Sequence, residues 1–136
     1  MAKILVADDQ DEARSVFTSV LRKARHDVIE AADGLQAIAL FEQHHPDVAL
    51  IDIFMPGRDG IDVIRAIRAA DPRIRIIAVS AGWHLKLPVV GGGASEGDVL
   101  QDAWAAGANG TLSKPVAHRY LVAEVERVLR ERSRDG

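Results

Sequence analysis

Short apolar runs, separated by turn residues and amphipathic stretches, divide the chain into alternating elements. Three of these runs are short, rich in β-branched residues and not alternating between apolar and polar positions, at residues 4–7, 48–51 and 74–79. Runs without alternation are typical of parallel strands that are covered on both faces. Residues 28–29 and 111–112 predict two weaker strands. The chain is therefore expected to contain five short strands.

Between these strands, apolar positions recur at helical spacing. The stripe from Ala13 to Ala24 follows the i, i+3, i+4, i+7 rule, and further helical patterns cover residues 35–41, 63–67, 99–106 and 121–129. An amphipathic helix needs a surface on which to bury its apolar stripe, and a sheet supplies one. Five strand-helix units in strict alternation therefore predict an α/β fold, a doubly wound five-stranded parallel sheet with five helices.

One segment departs from this alternation of strands and helices. Residues 83–97 show neither helical nor strand periodicity and contain the triplet Gly91-Gly92-Gly93. We expect a long loop insert at about 83–97 within a single domain that spans residues 1–136. Loops of this length inside compact domains are usually functional or mobile.

Composition narrows the classes of function. The 136 residues are 48% hydrophobic and 27% charged, an ordinary balance for one globular domain. The absence of cysteine excludes zinc-thiolate sites, and no apolar stretch is long enough for a membrane span, so a cytoplasmic protein is expected. A net charge of −3 gives no electrostatic footprint for nucleic acid. The histidines lack metal-ligand spacing, which predicts surface roles for His26, His44, His45, His84 and His118.

Polar residues stand where the predicted strands end. Asp8 and Asp9 follow the first apolar run, Asp52 ends the third before a Pro/Gly turn, and Ser80 and Lys114 follow two later runs. In an open parallel sheet the carboxyl ends of the strands meet at one edge, where ligands bind. Carboxylates brought together either share protons or bind a hard cation, and Mg²⁺ is the natural occupant of such an oxygen-rich site.

Each of these residues alone has an ordinary explanation. Asp8 and Asp9 could cap the following helix, Asp52 could be a turn acid, Ser80 a loop hydroxyl and Lys114 a solvated lysine before proline. Their joint occurrence at four strand ends favours a common site.

The order of an acidic pair, a single Asp, a Ser and a Lys-Pro resembles the receiver domain of two-component response regulators, over nearly the whole chain. The resemblance implies the sheet order 2-1-3-4-5 and a phosphoryl group passed from a histidine kinase or histidine phosphotransfer protein to Asp52, with Mg²⁺. It implies that Asp9 and Asp52 ligate the ion directly, with the backbone carbonyl of Phe54, and that Asp8 acts through water.

The remaining roles also come from the resemblance. Lys114 is then the cation that faces the transferred group, and Ser80 hydrogen-bonds to the aspartyl phosphate. A cis Lys114-Pro115 peptide is frequent in this family. The output is expected to be binding of a downstream protein, without direct contact with nucleic acid or membrane. A homodimer through the face of the fourth helix, fifth strand and fifth helix is one assembly that the resemblance allows.

Two positions depart from the family pattern. Thr111 stands where the family often has an aromatic residue, and Phe54 places a bulky side chain where it could shield the phosphoryl group from water. Two rival functions stay open at this point. One is a receiver fold that signals without phosphate because its insert closes the site. The other is a phosphatase of the aspartyl-phosphate type, although such enzymes usually carry an Asp-x-Asp motif after the first strand.

Overall fold

Strands and helices alternate strictly along the chain. The structure is a computed structural model that describes residues 2–55, 59–80 and 96–131. Its elements are β1 Lys3–Ala7, α1 Asp11–Lys23, β2 Asp27–Ala31, α2 Gly34–His44, β3 Val48–Asp52, α3 Gly60–Ala70, β4 Arg75–Ser80, α4 Glu96–Ala106, β5 Gly110–Ser113 and α5 His118–Arg130.

The five strands form one sheet in the order β2-β1-β3-β4-β5, and all four neighbouring pairs are parallel. The predicted fold class and strand order are therefore confirmed. None of the helices in the described ranges is long and apolar enough to cross a membrane.

Alternate strand residues supply two separate cores, one on each face of the sheet. Leu5, Ile51 and Ile76 face α2, α3 and α4, whereas Val6 and Leu50 face α1 and α5. Successive side chains of a strand point to opposite faces, so a strand that is covered on both faces is apolar at every position. This double coverage explains why the apolar runs of the sequence do not alternate between apolar and polar residues.

The predicted insert at 83–97 lies outside the described residues as far as position 95. Helix α4 begins at Glu96, earlier than Val99, where the apolar pattern predicted its start. The pattern misses this first turn because Glu96 and Gly97 carry no apolar side chain, although an acidic residue is favourable at the positive end of a helix.

His26 is not a surface residue, in contrast to the prediction. Only 8% of it is exposed, and its Nδ1 accepts a hydrogen bond from the backbone N–H of Ala2 at 3.1 Å. The contact joins the turn after α1 to the beginning of β1, two segments that are distant in sequence. Periodicity therefore gave no sign of it.

The strand register determines which polar residues are neighbours at the carboxyl edge of the sheet. Asp52 pairs with Val79 across β3 and β4, and Ser80 pairs with Ser113 across β4 and β5. Gly60, at the beginning of α3, lies against the end of β3: a Cβ at this position would lie 2.6 Å from Ile53 Cα. Only glycine allows the helix to begin so close to the strand.

Candidate acidic site at the carboxyl edge of the sheet

Three charged side chains from three strand ends are buried together. Asp8 follows β1, Asp52 ends β3 and Lys114 follows β5, and their exposed fractions are 1%, 3% and 9%. Charged residues are seldom this deeply buried unless they are paired. The parallel order of the strands brings them to one edge, as the sequence predicted.

Lys114 lies between the two buried carboxylates. Its Nζ is 2.8 Å from Asp8 Oδ2 and 3.3 Å from Asp52 Oδ2, and it donates a further hydrogen bond to Gln10 Oε1 at 3.3 Å. The contact with Asp8 is an ion pair without good hydrogen-bonding geometry, because Asp8 Oδ2 is buried and accepts no hydrogen bond. One oxygen of the acidic cluster is therefore left without a directional partner.

The acidic pair after β1 does not cap helix α1. The N-cap residue is Gln10, whose side chain makes no capping hydrogen bond, and its backbone N–H donates to Asp8 Oδ1 at 2.9 Å. The bond closes a tight turn between β1 and α1. Of the ordinary explanations for Asp8 and Asp9, helix capping is thus excluded by the geometry.

Asp8, Asp9 and Asp52 together fit a hard divalent cation. Each offers a carboxylate oxygen, and these oxygens lie within 4.8 Å of one another. Asp9 is exposed, whereas the other two are buried, so the cluster opens to solvent on the Asp9 side. Mg²⁺ prefers oxygen ligands and keeps several waters, which suits a cluster with one open side. Asp8 Oδ2, which is ion-paired with Lys114 but accepts no hydrogen bond, adds an oxygen that a cation or its water would satisfy.

The electrostatics of Asp52 reflect this crowding. Burial, the largest cause, and the neighbouring Asp8 carboxylate raise the pKa of Asp52 from 3.8 to about 7. Lys114 and the backbone N–H of Phe54 act in the opposite direction, and the latter donates to Asp52 Oδ1 at 2.9 Å. Without a cation the carboxyl group is thus only partly ionised near neutral pH. A nearby divalent charge would favour the ionised form.

Lys114 stays charged in this setting. Burial, the largest single effect, lowers its pKa, but the Asp8 and Asp52 carboxylates outweigh burial and raise the pKa above its usual value. The ammonium is therefore a permanent positive charge beside Asp52.

Ser80 and Phe54 differ in their exposure to solvent at this edge. Ser80 is fully buried, and its Oγ is hydrogen-bonded to Ser113 Oγ at 3.2 Å. Phe54 is 43% exposed and stands two residues after Asp52. The Lys114-Pro115 peptide, whose isomer the sequence left open, is cis.

Sequence reasoning missed three residues at this edge. Gln10 contacts Lys114, Ser113 contacts Ser80, and Arg14 donates from its Nη1 to the Asp8 carbonyl at 2.7 Å. Ser113 could have been suspected, because it precedes Lys114 and ends a strand. Gln10 and Arg14 carry no comparable signal, since their contacts depend on how α1 packs against the sheet.

Comparison with known proteins agrees with this geometry. A family model described as the response regulator receiver domain matches residues 4–126. Sporulation initiation phosphotransferase F of Bacillus subtilis is 32% identical over 113 residues, which cover 83% of this chain and 82% of that protein. The transcriptional regulatory protein PdtaR of Mycobacterium tuberculosis is 33% identical over 125 residues, covering 91% of this chain but 55% of that protein.

Solved structures give the same fold. The chemotaxis protein CheY4 of Vibrio cholerae is 28% identical, with a TM-score of 0.80 over 94% of this chain and 98% of that chain. A CheY-like receiver domain protein from Methanospirillum hungatei superimposes over 100% of this chain and 99% of its own with a TM-score of 0.83. At 24% identity the latter bears on the fold alone.

Proposed function

Because this chain belongs to the family of response regulator receiver domains, we propose that it is a phosphoacceptor switch that takes a phosphoryl group onto Asp52. The donor is a phosphohistidine of a histidine kinase or of a histidine phosphotransfer protein. The relative from Bacillus subtilis, which is named a phosphotransferase, supports transfer as the reaction. The observation that carries the proposal is the placement of the Lys114 ammonium within 3.3 Å of a buried Asp52 carboxylate.

In the transfer step, a carboxylate oxygen of Asp52 forms a bond to phosphorus as the phosphorus–nitrogen bond of the donor breaks. The bonding electrons leave with the imidazole nitrogen, and the product is an acyl phosphate. Only the ionised carboxylate attacks, and Lys114 favours that form because it lowers the pKa of Asp52. After transfer the same ammonium lies beside the charge of the phosphoryl oxygens.

The acidic cluster would hold Mg²⁺ through Asp9 and Asp52, with the Phe54 backbone carbonyl as a third protein ligand and Asp8 bonded through water. When bound, the ion supplies charge neutralisation to the phosphoryl oxygens. Asp8 has a second role, because its Oδ2 contacts the Lys114 ammonium at 2.8 Å and holds the ammonium near Asp52.

The output is binding of a downstream protein in the cytoplasm, without direct contact with nucleic acid. Two large aromatic residues are exposed on the helices before and after strand β5, Trp104 on α4 (44%) and Tyr120 on α5 (58%). Exposed aromatic side chains are over-represented at protein interfaces. The face of α4, β5 and α5 would also serve a homodimer. Thr111 on β5 carries no ring to reorient, so the signal passes through other groups.

We assign no turnover of exogenous substrates to this site. The acyl phosphate would form and hydrolyse on the protein itself. The phosphoacceptor lies at the end of β3, whereas phosphatases of this type usually carry it after the first strand. Asp8, Asp52 and Lys114 are buried in one cluster, and burial of charged groups costs stability. A receiver that signals without phosphate would have no use for such a cluster, so this alternative is disfavoured.

Incubation with acetyl phosphate and Mg²⁺, followed by intact mass, tests the proposal. We expect a mass increase of one phosphoryl group that requires Mg²⁺ and that is absent from Asp52→Asn. The matched control is Asp62→Asn on the exposed side of α3, which should be labelled like the unaltered protein. Equal labelling of Asp52→Asn would contradict the proposal, and turnover of a phosphomonoester would favour the phosphatase.

A further inference from the structure

Two serine hydroxyls meet at the ends of adjacent strands. Ser80 ends β4 and Ser113 ends β5, and the two are register partners in the parallel pairing. Register partners place their side chains on the same face of a sheet. Accordingly, Ser80 Oγ and Ser113 Oγ are hydrogen-bonded at 3.2 Å.

The two hydroxyls differ in their access to water. Ser80 is 0% exposed, whereas Ser113 is exposed. A buried hydroxyl is costly without a hydrogen-bond partner, but an exposed one exchanges a protein partner for water at little cost. Ser113 can therefore release the Ser80 hydroxyl at little cost to itself, whereas loss of this bond is costly for the buried Ser80 unless a new bond replaces it.

The strands stay paired when this side-chain bond breaks. The backbone N–H of Lys114 donates to the Ser80 carbonyl at 2.9 Å, independently of either hydroxyl. Thr111 lies two residues before Ser113 and thus on the same face of β5. Thr111 and Ser113 thus carry hydroxyl groups on this face of β5, and Thr111 stands where receiver domains often have an aromatic residue.

We propose that Ser113 is a positioning residue that holds the Ser80 hydroxyl in the unphosphorylated state and so opposes activation. The inference rests on the proposed function, in which Ser80 turns to the phosphoryl group on Asp52. That turn exchanges the Ser113 Oγ for a phosphoryl oxygen. Ser113 touches no reacting atom, and it acts only through the energy of the bond that the switch must break.

The affinity for beryllofluoride, a mimic of the phosphoryl group, measures this effect in the presence of Mg²⁺. Removal of a bond made only in the free state should make Ser113→Ala bind beryllofluoride roughly two- to tenfold more tightly than the unaltered protein. In a Ser80→Ala background the same substitution should change the affinity little, because the partner hydroxyl is already gone. Ser15→Ala on the exposed side of α1 is the control and should leave the affinity unchanged.

Chemical unfolding of the free and the beryllofluoride-bound protein separates this role from a merely structural one. Ser113→Ala should lower the stability of the free protein and leave that of the bound protein unchanged. Equal or weaker beryllofluoride affinity of Ser113→Ala, or equal loss of stability in both states, would overturn the inference while leaving phosphorylation of Asp52 intact. Failure of the unaltered protein to bind beryllofluoride would overturn the proposed function, and this inference with it.

Discussion

The acidic cluster should destabilise the metal-free protein, and replacement of Asp52 by asparagine should relieve this cost. The pKa of Asp52 is raised from 3.8 to about 7 in the folded state, chiefly by burial and then by Asp8. The folded protein consequently binds more protons than the unfolded chain between these two values. Stability therefore falls as the pH rises through this window, and it is not restored above it.

The size of the effect follows from the shift. Each pKa unit corresponds to about 1.4 kcal/mol, so ionisation of Asp52 costs at most about 4 kcal/mol at pH 8 and less than half of that at about pH 5. Asparagine resembles the neutral acid in shape and carries no charge. We expect Lys114 to keep its ion pair with Asp8 in the variant, since that contact, 2.8 Å in the unaltered protein, does not involve Asp52.

Urea unfolding at both pH values with a chelator present measures the difference. Asp52→Asn should be more stable than the unaltered protein by up to about 4 kcal/mol at pH 8, and by clearly less at about pH 5. Asp62→Asn, which is exposed, should show no such pH dependence. When the chelator is replaced by excess Mg²⁺, the unaltered protein should gain more stability than the variant, because the stability that a ligand adds grows with the logarithm of its affinity. A variant that is less stable at pH 8, or a difference that does not change with pH, would refute the reasoning.

Three further substitutions test separate parts of the account. Phe54→Asn should shorten the lifetime of the phosphorylated protein roughly tenfold, which corresponds to a barrier lower by about 1.4 kcal/mol, because water gains access to the acyl phosphate. Intact mass follows the loss of the phosphoryl group, and a rate equal to or slower than that of the unaltered protein would contradict this prediction. Gly60→Ala should cost about 1–3 kcal/mol in urea unfolding, since the new Cβ presses on the Asp52 carbonyl, and a neutral result would show that the contact relaxes freely. Arg68→Met should cost about 2–3 kcal/mol by the same assay, because Arg68 joins α3 to the chain after α4 through three hydrogen bonds. The exposed Arg65→Met is its control, and equal stability of the two would reject the role of Arg68.

The fold was predictable because parallel strands covered on both faces leave a strong pattern. The apolar run at 48–51 falls within β3, and the run at 74–79 begins one residue before β4 and ends one residue before its last position. The weaker runs at 28–29 and 111–112 lie inside β2 and β5, but their ends were missed because these edge strands carry more polar residues. The strand order itself came from the family resemblance and not from the periodicity.

The site was predictable only in part. Strand ends of a parallel sheet share an edge, so the convergence of Asp8, Asp52 and Lys114 could be expected from their positions. The position of the Lys114 ammonium between two carboxylates could not be expected, because it depends on packing between side chains that are more than sixty residues apart in sequence. The partners Gln10 and Ser113 were missed for the same reason. Their roles, and those of the predicted site residues, stay predictions until they are measured.

The most direct test of the central claim is the chemical identity of the residue that carries the phosphoryl group. Borohydride reduces an acyl phosphate and converts the aspartate that carried it to homoserine, which tandem mass spectrometry can locate in a peptide. After phosphorylation with acetyl phosphate and Mg²⁺, we predict homoserine at position 52 and aspartate at positions 8 and 9. Homoserine at position 8 or 9, or none at position 52 in a protein that has gained the mass of a phosphoryl group, would contradict the account.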